Sequence, residues 1–126
     1  LLRYLPAYYP PAEQFAYEEA TMIVHREWIK AKPGRREEVA ELALSELAAQ
    51  REHGRFTRPF RVYTPRISGQ PGRQVVIEWE FEDLAEFDDT WAEWFALPTT
   101  PAFLDKWHEA VEQGSAIDEI WNLHTP

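Results

Sequence analysis

The strictest alternation in the chain runs through residues 73–82, RQVVIEWEFE. Val75, Ile77, Trp79 and Phe81 fall on one side, and Gln74, Val76, Glu78, Glu80 and Glu82 on the other. A two-residue period of this kind predicts a strand with one buried face. Residues 21–30, TMIVHREWIK, alternate less cleanly but are β-branched and aromatic, which predicts an earlier strand. Residues 59–68, PFRVYTPRIS, predict another strand, with Pro65 marking an edge or a bulge. A last strand is expected over 115–124, SAIDEIWNLH.

Between these runs the period changes to that of a helix. Val39, Leu42, Ala43 and Leu47 recur at helical spacing over about 35–51, and Glu37, Glu38 and Glu41 sit where the helix dipole favours acids. Leu84, Phe87, Trp91, Trp94 and Phe95 form an apolar stripe over about 84–95. Pro98 breaks that helix, Thr99 or Thr100 can cap another, and Pro101 suits its first turn. Phe103, Leu104, Trp107 and Val111 make the buried face of this third helix. Pro33-Gly34, Gly54, the 69–72 cluster and Gly114 punctuate the elements.

The order is β-α-β-β-α-β, with the second helical region split in two. First and third strands separated by a helix and a strand predict an α+β, ferredoxin-like fold with an antiparallel sheet and helices on one face. The other sheet face bears on assembly. The first strand offers it either Met22, Val24, Arg26 and Trp28 or Ile23, His25, Glu27 and Ile29, and the third adds Val76 among carboxylates. Both sets are too apolar for a face left in water, so a homodimer packed sheet on sheet is expected, with Arg26 able to pair with Glu78 or Glu80 across strands. A solvated face tolerating a few apolar residues is the alternative.

Residues 1–20 stand apart from this single domain of 21–126. Tyr8-Tyr9-Pro10-Pro11 excludes helix interior, yet Tyr4, Leu5, Tyr8, Tyr9, Phe15 and Tyr17 are apolar for a free tail. An arm laid over the domain or its partner is expected, against a disordered leader.

Composition narrows the partners. The 126 residues are 44% hydrophobic and 28% charged, in keeping with one globular domain. Six Trp, five Tyr and seven Phe provide large rings for a core or an apolar pocket. A net charge of −9 disfavours nucleic acid, whose binding needs clustered cations. The local groups Arg35 and Arg36, and Arg51, Arg55, Arg58 and Arg61, read as solvated loop and helix-end charges. Without cysteine there is no disulfide, thiolate catalyst or Cys-based metal site. No apolar run approaches a membrane span, no signal-peptide core opens the chain, and a cytoplasmic location is the default expectation.

The pattern resembles the antibiotic-biosynthesis-monooxygenase-like and NIPSNAP-like dimeric α/β-barrel proteins. The residues that carry it are the first strand running into Lys32-Pro33-Gly34, and Val75 to Glu82 followed by an acidic, Trp-rich helix. Trp94-Phe95, Pro98 and Pro101-Ala102-Phe103-Leu104 follow before the last helix and strand. The match covers about 21–124. The resemblance implies two sheets paired across a two-fold axis and a ligand pocket between helices and sheet in each subunit. The activities it brings are cofactor-free oxidation of aromatic polyketides, heme degradation and lactone isomerisation. The heme-degrading group uses an Asn on the first strand and a His on the last helix. Glu27 stands where that Asn would lie and Trp107 or His108 near that His, and the missing Asn argues against heme degradation.

Candidate chemistry follows from residue types. His25 and Glu27 alternate onto one side of the first strand, as a buried acid–base pair or as interface ion-pair residues, depending on the strand's phase. His108, on the border of its helix's buried face, is a general base or a surface imidazole. Trp79, Trp91, Trp94, Phe103 and Trp107 line a pocket for a planar substrate or simply fill the core. Tyr63 is a proton donor or a packing residue. The catalytic candidates are therefore His25, Glu27 and His108, and the substrate-binding candidates Tyr63 and those five rings. Glu78, Glu80 and Glu82 share a strand face and could take a hard cation, though pairing with Arg accounts for them better. The scattered His25, His53, His108 and His124 give no metal-ligand spacing, so neither metal nor cofactor is expected. Two functions compete: a cofactor-independent monooxygenase-like enzyme acting on a small apolar or aromatic compound, and a non-catalytic dimer binding a ligand or protein.

Overall fold

The computed structural model describes residues 22–53, 56–66 and 72–125, so the expected N-terminal arm lies outside the described residues. Seven elements follow one another: β1 (Ile23–Lys30), α1 (Arg36–His53), β2 (Phe60–Tyr63), β3 (Gln74–Phe81), α2 (Leu84–Ala96), α3 (Thr100–Ala110) and β4 (Ile117–Asn122). The strands form one antiparallel sheet in the order β2-β3-β1-β4, with the helices against one face. This is the ferredoxin-like α+β arrangement that the alternation of periods predicts.

The phase of β1 is settled by its neighbours. Ile23, Ile29, Val75, Ile77, Trp79 and Phe81 join one buried cluster with Val39 and Ala43 of α1. Ile23, His25, Glu27 and Ile29 therefore face the helices, and Val24, Arg26 and Trp28 face the opposite side. On that opposite side Arg26 donates from Nε and Nη2 to Glu78 Oε2 at 2.9 and 2.7 Å. Arg61 reaches Glu80 at 3.1 Å, and Trp28 Nε1 donates to Glu119 Oε1 at 2.6 Å.

Element ends depart from the periodicity in four places. β2 stops at Tyr63, before Pro65, because a proline cannot supply the next ladder N–H. β4 ends at Asn122, short of His124. Thr99 precedes α3 without a side-chain capping bond, and the Thr100 hydroxyl donates to the Trp94 carbonyl at 2.6 Å, tying α2 to α3. Glu82 lies beyond β3 and bonds Arg58, so it does not extend the carboxylate row of Glu78 and Glu80.

Local chemistry explains the remaining joints. The Asp83 side chain accepts from the Glu86 N–H at 2.8 Å and caps α2. Gly34 (φ +76°) and Gly114 (φ +77°) supply left-handed turns after β1 and after α3. The end of α3 is stitched to the end of β1: the Lys32 N–H donates to the Ala110 carbonyl and the Glu112 N–H to the Lys30 carbonyl, both at 2.8 Å. Among the described residues no helix is long and apolar enough to cross a membrane.

Phe81 is fully buried, with Phe56 and Phe87 rings at 5.7 and 5.5 Å. Phe81→Ala is expected to cost about 3–5 kcal/mol by urea denaturation. At exposed Leu44, substitution by Ala should cost less than about 0.5 kcal/mol.

Candidate functional site

The central strand carries two polar side chains toward the helices, and both find the same partner. Glu27 lies opposite Asp118 in the β1–β4 register, and His25 lies diagonal to it. His25 Nε2 donates to Asp118 Oδ1 at 2.9 Å. That hydrogen bond holds the Asp118 carboxyl below its ordinary range, against its partial burial. Glu27 responds in the opposite sense. Burial, then the charge of Asp118 and a hydrogen bond to it, push the Glu27 carboxyl up to about 8. The group therefore consists of an ionised Asp118 taking bonds from the His25 ring and from a Glu27 carboxyl that keeps its proton near neutrality.

His25 itself is nearly inaccessible, 3% exposed. Its ring stacks on Trp79 at 4.8 Å and meets the edges of Phe87 and Trp91 at 5.1 and 5.6 Å. Nδ1 is buried without a hydrogen-bond partner among the described residues. It is a strand residue locked behind aromatic rings, with Asp118 as its hydrogen-bond partner.

Glu27 opens onto a cleft of about 240 Å³ between the sheet and all three helices. Trp79, from β3, lies on the sheet side, and α2 and α3 bring Trp91, Trp94, Phe95, Phe103 and Trp107. Neighbouring rings meet edge to face, with Trp91–Trp94 centroids at 5.3 Å and Trp94–Phe103 at 5.9 Å. Trp107 stacks on Phe103 at 5.4 Å. From α1 come Glu46 and Gln50, one turn apart and both buried. Trp94 Nε1 donates to Glu46 Oε1. Burial holds the Glu46 carboxyl above its ordinary range, and the indole bond opposes this.

Of the nine residues singled out in the sequence, seven line this cleft: Glu27, Trp79, Trp91, Trp94, Phe103, Trp107 and His108. His108 sits exposed at the rim. His25 stands behind the wall. Tyr63 is not brought there: its ring projects from the opposite sheet face, 45% exposed, with its hydroxyl 3.5 Å from Glu78 Oε1. Strand phase is the reason, because Tyr63 is one residue out of step with Val62, which packs on the core.

Three polar residues of the site were not singled out in the sequence. Asp118 is one carboxylate in a short edge strand. Glu46 and Gln50 do leave a signal, since they continue the buried spacing of Val39 and Ala43 at positions where an apolar side chain is expected. A polar residue on the core stripe of a helix marks a partner or a cavity. Among the described residues no group of three or more His, Asp or Glu is placed to hold a metal ion.

Fold and cleft together define the class: an α+β domain with the ferredoxin-like fold of the NIPSNAP-like and antibiotic-biosynthesis-monooxygenase-like proteins. A NIPSNAP family protein of unknown function from Agrobacterium tumefaciens is similar at 20% identity, covering 82% of this chain and 89% of that one, with a TM-score of 0.69. An uncharacterised NIPSNAP-like domain protein from Burkholderia xenovorans is similar at 22% identity, covering 84% and 87%, with a TM-score of 0.68. A candidate antibiotic biosynthesis monooxygenase from Chloroflexus aurantiacus is similar at 8% identity, covering 84% and 96%, with a TM-score of 0.59. No family model matches the chain, and no curated protein matches its sequence. At these identities the likeness is one of fold.

The Glu27 carboxyl binds its proton more tightly folded than unfolded, so it contributes stability that is complete below about pH 4.5 and is lost as pH rises through about 8. Glu27→Gln lacks this dependence. Urea denaturation across that window should find wild type losing stability relative to the variant as pH rises. Parallel curves would contradict the proton assignment.

Proposed function

We propose that the cleft binds a small, planar, largely apolar compound and that Glu27 exchanges a proton with it. What supports the reading is a single juxtaposition: a carboxyl whose pKa is pushed up to about 8 in the lining of an aromatic cleft, backed by an ionised Asp118. A carboxylate of such raised affinity is a much stronger base than an ordinary one, and the protonated form is at hand near neutrality to return the proton. Asp118 and His25 position Glu27 and hold the charge beside it. The indole faces supply a dry, flat site for the ring of the compound.

The reaction class that follows is proton abstraction from an activated C–H or O–H, with the same proton available for return at a second atom. An electron-rich anion formed this way can pass an electron to O2, as cofactor-free oxidations require; the fold neighbour from Chloroflexus aurantiacus is described as a candidate antibiotic biosynthesis monooxygenase. An aryl β-diketone tests the first step. In D2O, wild type should accelerate exchange of its acidic C–H. Glu27→Gln should lower the enzymatic rate by about a hundredfold or more while the compound still quenches Trp fluorescence. Quenching without exchange in wild type would leave a binding protein and remove the acid–base role.

We propose further that two copies pair through the helix-free sheet faces. Support comes from Ile117 at 61% and Trp121 at 51% exposure, with exposed Trp28 and Tyr63 on the same sheet face. The face also carries the Arg26–Glu78 pair, with Arg26 5.8 Å from the Trp121 ring. Such a mixture suits a second sheet better than water. Sedimentation equilibrium at micromolar protein is expected to give twice the mass of one chain. Trp121→Glu should shift it toward one, and a single-chain mass for the unaltered protein would end the dimer reading.

A further inference from the structure

We propose that the compound taken by this cleft is an organic amine in its ammonium form, an arylalkyl amine whose cationic group sits among the indole rings beside Glu46 and Gln50. The inference rests on the reading of the cleft as a ligand site and names the class of compound it takes. Its first support is the character of the lining. The polar groups there are acids and an amide, Glu27, Glu46 and Gln50, and among the described residues the lining contains neither Lys nor Arg. The imidazole of His108 is exposed at the rim and does not reach into the box as a buried cation. An anionic ligand would therefore enter without a full charge to meet it.

The second support is independent of the acids. Gln50 is 7% exposed, and its Oε1 is buried without a hydrogen-bond partner among the described residues. A buried amide oxygen left in this state carries a free-energy penalty that a donor removes. An ammonium brings three donors. One turn away, Glu46 is held by the Trp94 indole N–H. The arrival of a cation would favour the ionised carboxylate that burial otherwise resists.

The rings complete the argument. Trp91, Trp94 and Phe103 meet nearly at right angles, with interplanar angles of 86° and 77°, so successive faces turn in different directions around one space. The negative faces of aromatic rings attract cations, indole most strongly. Trp91 Nε1, a buried donor without a partner, is a neutral N–H and does not by itself compensate a carboxylate. The net charge of −9 draws cations toward the molecule at long range.

Three probes of one shape and different charge separate the possibilities: naphthylmethylamine, naphthylmethanol and naphthoate, measured by equilibrium dialysis at neutral pH. The amine is expected to bind about tenfold or more tightly than the alcohol, with naphthoate weakest. Glu46→Gln keeps an acceptor for Trp94 and should abolish the preference, so that the variant binds the amine no more tightly than it binds the alcohol. If the alcohol or naphthoate binds wild type as tightly as the amine, the amine assignment is wrong and the cleft reading stands. If none of the three binds, both are wrong. An undiminished amine preference in folded Glu46→Gln would also overturn the assignment to the Glu46 end.

Discussion

The position of β1 between β3 and β4 is the constraint on which the rest of the molecule depends. Residues 23–28 of this strand pair on both sides, with β3 and with β4, so its two faces are committed together. A slip of one residue would bring Arg26 and Trp28 under the helices and turn His25 and Glu27 outward. The present phase places Ile23 and Ile29 in the core and leaves the two polar residues between them to be satisfied there. Asp118, on the adjacent strand, does this for both. The proton held by Glu27 is thus a consequence of sheet register as much as of side-chain chemistry.

The cleft exists because the second helical region is broken. Pro98 ends α2, and the Thr100 hydroxyl bond to the Trp94 carbonyl turns the chain into α3 at a close joint. Two short helices can present rings from different directions, which a single straight helix cannot. Trp91 and Trp94 from one meet Phe103 and Trp107 from the other, and Glu46 and Gln50 of α1 close the side. Polar atoms are thereby enclosed among rings, where each carboxyl finds its charged form penalised and each unpaired acceptor raises the free energy of the empty site. The proposed acid–base role and ligand preference both depend on that enclosure.

Much of the fold was legible in the residues taken in order. The alternation of β3, the helical stripe of 84–95 and the turn residues at Pro33-Gly34 and Gly114 report short-range periodicity, which depends on backbone geometry and on one buried side per element. The site was legible only in part. The Trp and Phe residues stood out by size and spacing, and Glu27 by its alternation with His25 on the first strand. Asp118 did not, because a carboxylate beside Glu119 on a short edge strand looks like any solvated charge. Tyr63 misled for the converse reason: an aromatic on a strand carries no mark of which face it takes when the strand is only four residues long.

The sequence by itself determined the kinds and order of the elements, since local period and punctuation depend on neighbours within a few residues. Tertiary structure alone decided which face of β1 the helices cover, that Glu27 meets Asp118 although they stand 91 positions apart in the chain, and that Glu46 and Gln50 open onto the ring-lined space. Those outcomes depend on pairing and burial between distant segments, and the raised proton affinity of Glu27 arises only once they are enclosed together.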